Sequence, residues 1–284
     1  MNTRTLSGLS FEFFPPKSDE GVEKLNVTRR KLALLNPDFC SVTFGAGGST
    51  RQGTLDTVLA IRKDGLRGAP HLSSVGATKK QIREIIDVYR DYDIHHIVVL
   101  RGDMPSGTGD SGNFHYASEL VAYIREISGD WFHIDVAAYP EAHPQSHSYD
   151  LDVRHFKTKI DAGANSAITQ YFFNADAYFH FIDRCAAIGA NVPIVPGIMP
   201  IFNFSRLQRF SEMCGAEIPR WLALQMESYS DDAASIRAFG LDVITALCER
   251  LLAGGAPGLH FYTMNRASLT TEICHRLQGK RTTR

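Results

Sequence analysis

Glu12 lies in the segment Ser10-Phe-Glu-Phe-Phe-Pro-Pro16, a carboxylate set between aromatic rings. If this segment is extended, Phe11 and Phe13 turn to one face and Glu12 to the other. A carboxyl group carried into a partly dry interior has a raised pKa and can hold a proton near neutrality. That is the property of a general acid; the competing reading is a buried ion pair with an arginine or lysine. Asp103, in Leu100-Arg-Gly-Asp-Met-Pro105, is a second candidate carboxylate. Gly102 would let the backbone approach a ligand closely, although a turn before Pro105 accounts for the same residues.

Other arrangements are weaker. Gly107-Thr-Gly-Asp-Ser-Gly112 has the letters of a dinucleotide-binding fingerprint. It does not join a strand to a helix in tight succession, so it reads as a loop. Glu141, His143 and His147 have metal-ligating side chains, but Pro144 argues against the helix that would align the two histidines. No metal site is expected. Arg154-His-Phe-Lys-Thr-Lys159 is a basic cluster on a helix beginning after Ser148. A helix N-terminus with basic residues suits phosphate, while a solvated helix face is the plain alternative. No lysine stands at a strand end, which weakens Schiff-base chemistry.

These residues need a scaffold, and the chain offers an alternation. Short apolar runs are expected as strands at Leu9–Phe13, Phe39–Thr43, His71–Val75, Ile94–Leu100, His133–Ala138, Ser166–Phe172, Val192–Ile198 and Leu259–Thr263. Helix-period segments follow them. In Thr78–Arg90, Ile82, Ile85, Ile86 and Tyr89 fall on one helical face, and Thr78 with Gln81 reads as a capping box. Helices are also expected near Glu20–Leu35, Gly53–Lys63, Ala117–Ile127, Asp152–Ile160, Ala175–Ala187, Ser205–Met213, Asp231–Leu252 and Leu269–Leu277.

Eight strand–helix units in 284 residues point to a single (β/α)8 TIM barrel, which takes about 250 residues. A doubly wound open sheet would offer a glycine fingerprint after its first strand, where this chain has Phe13-Phe14-Pro15-Pro16. The reading is therefore one α/β domain spanning 1–284. In such a barrel the site lies at the C-terminal ends of the strands. Glu12, Thr43, His71, Arg101, Asp103, Tyr139, Glu141, His143, Gln170, Tyr262, Asn265 and Arg266 are placed there.

Charge and cysteine usage narrow the function classes. Lys+Arg is 30 and Asp+Glu 31, a net charge of −1, which gives no general attraction to nucleic acid. The five cysteines are odd in number, scattered and free of C-x-x-C pairs, as in a reducing cytosol. The N-terminus lacks an apolar signal region. The uncharged stretch between Arg184 and Arg206 is broken by prolines and glycines too often to span a membrane. A cytoplasmic enzyme is expected.

Eight motifs occur in order: Phe11-Glu-Phe-Phe-Pro-Pro16, Ser41-Val-Thr43 with its glycine-rich loop, Ala69-Pro-His-Leu72, Leu100-Arg-Gly-Asp103, Ala137-Ala-Tyr-Pro-Glu141, Ala167-Ile-Thr-Gln170, Pro196-Gly-Ile-Met-Pro200, and His260-Phe-Tyr-Thr263 with Asn265-Arg266. Together, from about Ser10 to Cys274, they resemble the bacterial type of 5,10-methylenetetrahydrofolate reductase. The resemblance implies a barrel that binds FAD at its C-terminal mouth. NADH or NADPH reduces the flavin, leaves, and is replaced by methylenetetrahydrofolate, which becomes 5-methyltetrahydrofolate for methionine synthesis.

By the same resemblance Glu12 is the general acid and Asp103 the carboxylate near flavin and pterin. Gln170 and Arg266 contact folate, Gln170 also the nicotinamide substrate, and Thr43 and Phe210 that substrate too. Phe44, His71, Arg101, Gly102, Tyr116, Ala117, Tyr139, His143, Ser146, Asp152, His155 and Lys159 match FAD-contacting positions. There are departures: Phe44 stands where tyrosine is frequent, and His155 and Thr158 replace an asparagine and an arginine. These changes leave open an alternative, a flavin-free folate-binding barrel with direct hydride or one-carbon transfer. The family suggests a dimer or tetramer, and no regulatory domain or control by S-adenosylmethionine is expected.

Overall fold

The computed structural model describes residues 6–44, 48–102, 112–230 and 232–281. Asp103 and most of the 107–112 glycine segment lie outside the described residues. In chain order the elements are β1 (Leu9–Phe13), α1 (Asp19–Ala33), β2 (Phe39–Val42), α2 (Gly48–Lys63), β3 (Gly68–Ser73), α3 (Lys79–Asp91), β4 (His96–Leu100), α4 (Ala117–Ser128), β5 (His133–Ala138), α5 (Tyr149–Asp161), β6 (Ser166–Thr169), α6 (Ala175–Ala187), β7 (Ile194–Val195), β8 (Gly197–Ile198), α7 (Phe204–Cys214), α8 (Arg220–Ser228), α9 (Ala233–Ala253), β9 (Leu259–Tyr262) and α10 (Ser268–Arg281).

All strand pairs are parallel, in the order β7-β6-β5-β4-β3-β2-β1-β9-β8. Only Pro196 separates β7 from β8, so the two form one stave of the barrel. Proline has no N–H to donate, so the ladder breaks there. Its carbonyl still accepts from His260 N at 3.0 Å, and Gly197 N donates to Thr169 Oγ1 at 2.9 Å. A Cβ at Gly197 would sit 2.1 Å from the Thr169 carbonyl oxygen, so glycine is required at this closure. With β7 on β6 and β8 on β9 the ring closes into the expected (β/α)8 barrel.

The sheet's outer face and the helices share one large core. Phe11, Phe13, Leu72, Val99 and Val136 belong to it, each at most 1% exposed. Burial of such a side chain contributes about 1.5–3 kcal/mol. In α3, Ile82, Ile85, Ile86 and Tyr89 are buried, and Thr78 and Gln81 form the capping box, an N-terminal contribution of about 1 kcal/mol.

Inside the barrel the apolar content shrinks to Ala69, Val98 and Ile168, with Phe39, Leu100 and Tyr262 packed around them. The register explains the rest: Ser10 lies beside Phe39 and His260, and Glu12 beside Ser41 and Tyr262.

Some boundaries differ from expectation. β3 begins at Gly68 rather than His71, because Gly68, Ala69 and Pro70 carry little strand signal of their own. His71 therefore lies within the barrel and not at a strand start. β6 ends at Thr169, before the aromatic run 171–173. The nine-residue α8, after Pro219, is an additional helix. Among the described residues no helix is long and apolar enough to cross a membrane, and the five cysteines are unbridged.

Candidate active site

β1 presents Glu12 to the barrel interior because Phe11 and Phe13 are committed to the outer core. The Glu12 side chain is 19% exposed, and its Oε2 lies 3.4 Å from His71 Nε2 and 3.9 Å from His260 Nε2. Both Nε2 atoms are buried, and neither makes a hydrogen bond. Ser10 Oγ and His260 Nδ1 are 2.8 Å apart, which fixes that imidazole. Burial lowers the His71 pKa, and His260 lowers it further, against the opposing pull of Glu12 and Asp135. Glu12 thus meets imidazoles where an arginine or lysine was the alternative partner.

The loop after β9 clasps the end of β1. Thr263 Oγ1 donates to the Glu12 carbonyl at 2.6 Å. Asn265 accepts from Phe14 N at 3.0 Å and donates to Phe14 O at 2.9 Å. Met264 and Asn265 both have positive φ, 51° and 54°. Asn265 therefore works as a strut for the Glu12 strand. Arg266, next in the chain, is exposed, with its guanidinium 5.2 Å from the centroid of Phe202.

At the ends of β3 and β4, Ser73 Oγ and Ser74 Oγ donate to the Arg101 carbonyl at 2.9 and 3.0 Å. Gly102 has φ +84°, and a Cβ there would come 1.9 Å from Ser73 Oγ. Glycine is thus imposed by the packing of the chain itself. Arg101 donates to Gln145 Oε1 at 2.5 Å, bridging to the loop after β5. On that loop Tyr139 and His143 meet edge to face at 4.6 Å. His143 N donates to Asp152 Oδ2 at 3.2 Å, and Ser146 Oγ to Ser148 O at 3.0 Å. Ser148 caps α5. Tyr116, 60% exposed, and Ala117 stand at the start of α4.

The basic cluster on α5 does not form one charged face. Arg154 and His155 are exposed, and Lys157 pairs with Asp161 one turn on. Lys159 turns inward and donates to the Ala137 carbonyl at 2.5 Å. Burial pulls its pKa down to about 8, against the attraction of Asp152. The helical period leaves Arg154 and Lys157 on one side and turns Lys159 to another, a consequence that adjacency in sequence conceals.

Gln170 follows β6, and its Oε1 accepts from Tyr171 N at 3.0 Å. Thr43 N is held by Phe13 O at 2.9 Å, so Thr43 and Phe44 lie beside the end of β1. Phe210 packs on the core from α7. Glu141 accepts from Glu217 N at 2.8 Å, tying the loop after β5 to the segment before α8. Burial pushes its carboxyl up to about 7, although the Glu217 N–H opposes this.

Glu12, His71, Thr43, Gly102, Arg101, Tyr139 and Gln170 thus lie on or beside neighbouring strand ends. His260 escaped the sequence reading. Its signal was available: in Leu259-His-Phe-Tyr262 it shares the Tyr262 face by strand parity.

The described mouth therefore combines an inward carboxylate with imidazoles, amide, arginine and aromatic groups. Residues 3–278 match the family model described as methylenetetrahydrofolate reductase. The chain is 41% identical over 270 residues to 5,10-methylenetetrahydrofolate reductase of Escherichia coli, covering 95% of this chain and 90% of that protein. The Salmonella typhimurium 5,10-methylenetetrahydrofolate reductase is likewise 41% identical, with the same coverage. Methylenetetrahydrofolate reductase (NADH) 1 of Arabidopsis thaliana is 38% identical over 91% of this chain and 46% of its own length. Among solved structures, an uncharacterized Clostridium thermocellum protein that binds two copies of 5-methyl-5,6,7,8-tetrahydrofolic acid has the same fold, with TM-score 0.70 and 17% identity over 97% of this chain and 96% of that one. The chain belongs to the methylenetetrahydrofolate reductase family.

Proposed function

We propose that this barrel catalyses the reduction of 5,10-methylenetetrahydrofolate to 5-methyltetrahydrofolate, with FAD held at the C-terminal mouth and NADH or NADPH as electron donor. The observation that carries the reading is Glu12, a carboxyl group at the barrel mouth beside two imidazole nitrogens that make no hydrogen bond. Flavin, when bound, supplies the hydride relay between donor and folate.

The donor set fits such a group. Arg101, the Tyr139–His143 pair, Ser146 and Tyr116 at the start of α4 ring one side of the mouth. The N-termini of α4 and α5 add unpaired N–H groups suited to phosphate. Asp152 orients the His143 backbone from beneath.

Glu12 would deliver a proton to the folate and promote opening of its five-membered ring to an electrophilic iminium. His71 and His260 border the carboxyl group on its inner side. Gln170 and Arg266 would orient the folate, with Thr43 and Phe210 at the nicotinamide. Asp103 completes the reading as the second carboxylate.

The inward turn of Lys159 removes one cation from the α5 face, and this favours the flavin-free barrel as the second reading. A visible spectrum of the purified protein, taken before and after anaerobic NADH or NADPH, separates the two. Flavin absorbance that bleaches with the nucleotide is expected. Colourless protein that takes up no added FAD, with no NAD(P)H oxidation in the presence of a folate or quinone acceptor, would overturn the flavin reading.

A further inference from the structure

Away from the mouth, at the N-terminal end of the barrel, β4 and β5 begin with histidines that face each other in register, His96 and His133. Side chains two apart on a strand share a face, so Asp135 joins them. His96 Nε2 is 2.7 Å from Asp135 Oδ2, and His133 Nε2 is 3.5 Å from Asp135 Oδ1. Ser166 Oγ, on β6, is 2.6 Å from His133 Nε2 and also donates to Asp135. The ligand-capable atoms of His96, His133 and Asp135 all lie within 4.8 Å of one another.

We propose that His96, His133 and Asp135 form a binding site for a divalent metal ion of the zinc class. Two imidazole nitrogens and one carboxylate are a donor set that zinc accepts, at about 2.0–2.2 Å per bond. Tetrahedral bonds of that length put donor atoms about 3.3 Å apart. The observed 2.7 and 3.5 Å separations bracket this spacing. The two distances run to different oxygens of Asp135, so the rings and the carboxylate would turn to bring the three donors onto one ion. A water would complete four-coordination.

The electrostatics agree. Asp135 is 4% exposed by its side chain, and among the described residues its ion partners are these two imidazoles alone. Asp135 accepts from His96 and Ser166, and a divalent ion would add a cation beside this buried anionic ligand. Access is provided by His133, whose side chain is 48% exposed. Phe39 packs on His96 at 4.3 Å between ring centroids and fixes its orientation.

Residues on the N-terminal face of such barrels serve stability. The site is therefore a clip between β4 and β5, with no part in the chemistry at the mouth. Its substrate class is the ion itself, and zinc, cobalt(II) and nickel(II) all suit nitrogen-rich donors.

The test uses full-length protein without a histidine tag, stripped by chelator and titrated with zinc by calorimetry and with cobalt(II) by visible absorbance. One ion per chain is expected, with a tetrahedral cobalt band. Tm should rise by roughly 5 °C or more at a 100-fold excess over Kd. In His133→Ala, at a half-exposed position, affinity should fall by more than the roughly 10- to 100-fold that an outer-shell partner is worth. His96→Ala should behave alike, and NAD(P)H-dependent turnover of His133→Ala should be unchanged. Absence of binding in the wild type would overturn the proposal, as would equal binding by wild type and both variants.

Discussion

At the base of the barrel, Asp135 accepts hydrogen bonds from His96 and Ser166 and has a second imidazole, His133, beside it. Near the mouth, Glu12 also faces two imidazoles, at 3.4 and 3.9 Å, and neither donates to it. Both clusters are one carboxyl group and two histidines carried by strands of the barrel. Burial alone would raise the Asp135 pKa, but its polar neighbours His133, His96 and Ser166 outweigh it and hold the carboxyl well below the usual range. Asp135 is consequently a fixed anion. Glu12 lacks such anchoring and keeps 19% of its side chain open to the mouth. The difference teaches that residue type does not separate an anchored carboxylate from an unanchored one. Hydrogen-bond geometry does.

The comparison breaks first at Glu12. In Glu12→Gln the folate half-reaction should fall by roughly 100- to 10,000-fold, the range for loss of a general acid. Reduction of bound flavin by NAD(P)H should persist. Stopped-flow measurement of both half-reactions checks this, and an equal loss in both would remove the proton-donor role.

Asp135→Asn should act on stability instead, costing about 3 kcal/mol because the histidines lose a charged acceptor. The sign with pH follows from the depressed pKa. Asp135 contributes fully above its unfolded pKa, near 4, and that contribution drains away as pH falls below it. Urea unfolding of the wild type should therefore weaken steeply between about pH 4 and 2. The variant should lack that part of the slope, and parallel curves would refute the assignment.

Asn265→Ala is the mildest. It removes both bonds to Phe14, worth about 1–3 kcal/mol together, and places alanine at positive φ. A lower Tm with a modestly slower folate step is expected. A Tm equal to that of the wild type would show that the clasp does not hold β1.

Much of this was readable beforehand. β1 and α6 have the expected bounds, Leu9–Phe13 and Ala175–Ala187, because an unbroken aromatic alternation and a clean helical period leave little choice. The capping box at Thr78 is equally local. α8 was not readable: its nine residues follow Pro219 without a side-chain cap. Nor was the true start of β3, since Gly68-Ala-Pro70 becomes strand only by pairing with β2. At the site, the inward turns of Glu12 and His260 were both readable by parity, but only the register beside Ser10 brings His260 to Glu12. The α5 cations looked like one patch in sequence, but Lys159 turns inward, away from Arg154 and Lys157.

What the amino-acid order determined by itself was periodicity: which residues are strand or helix, which face is apolar, and so the barrel and the inward turn of Glu12. Local sterics and the apolar pattern suffice for that. Only the closed tertiary structure decided which inward groups meet. Residues 250 positions apart in the chain, Ser10 and His260, become neighbours because β9 pairs with β1. Whether a carboxyl group there is anchored or left poised depends on tenths of an ångström across that ring.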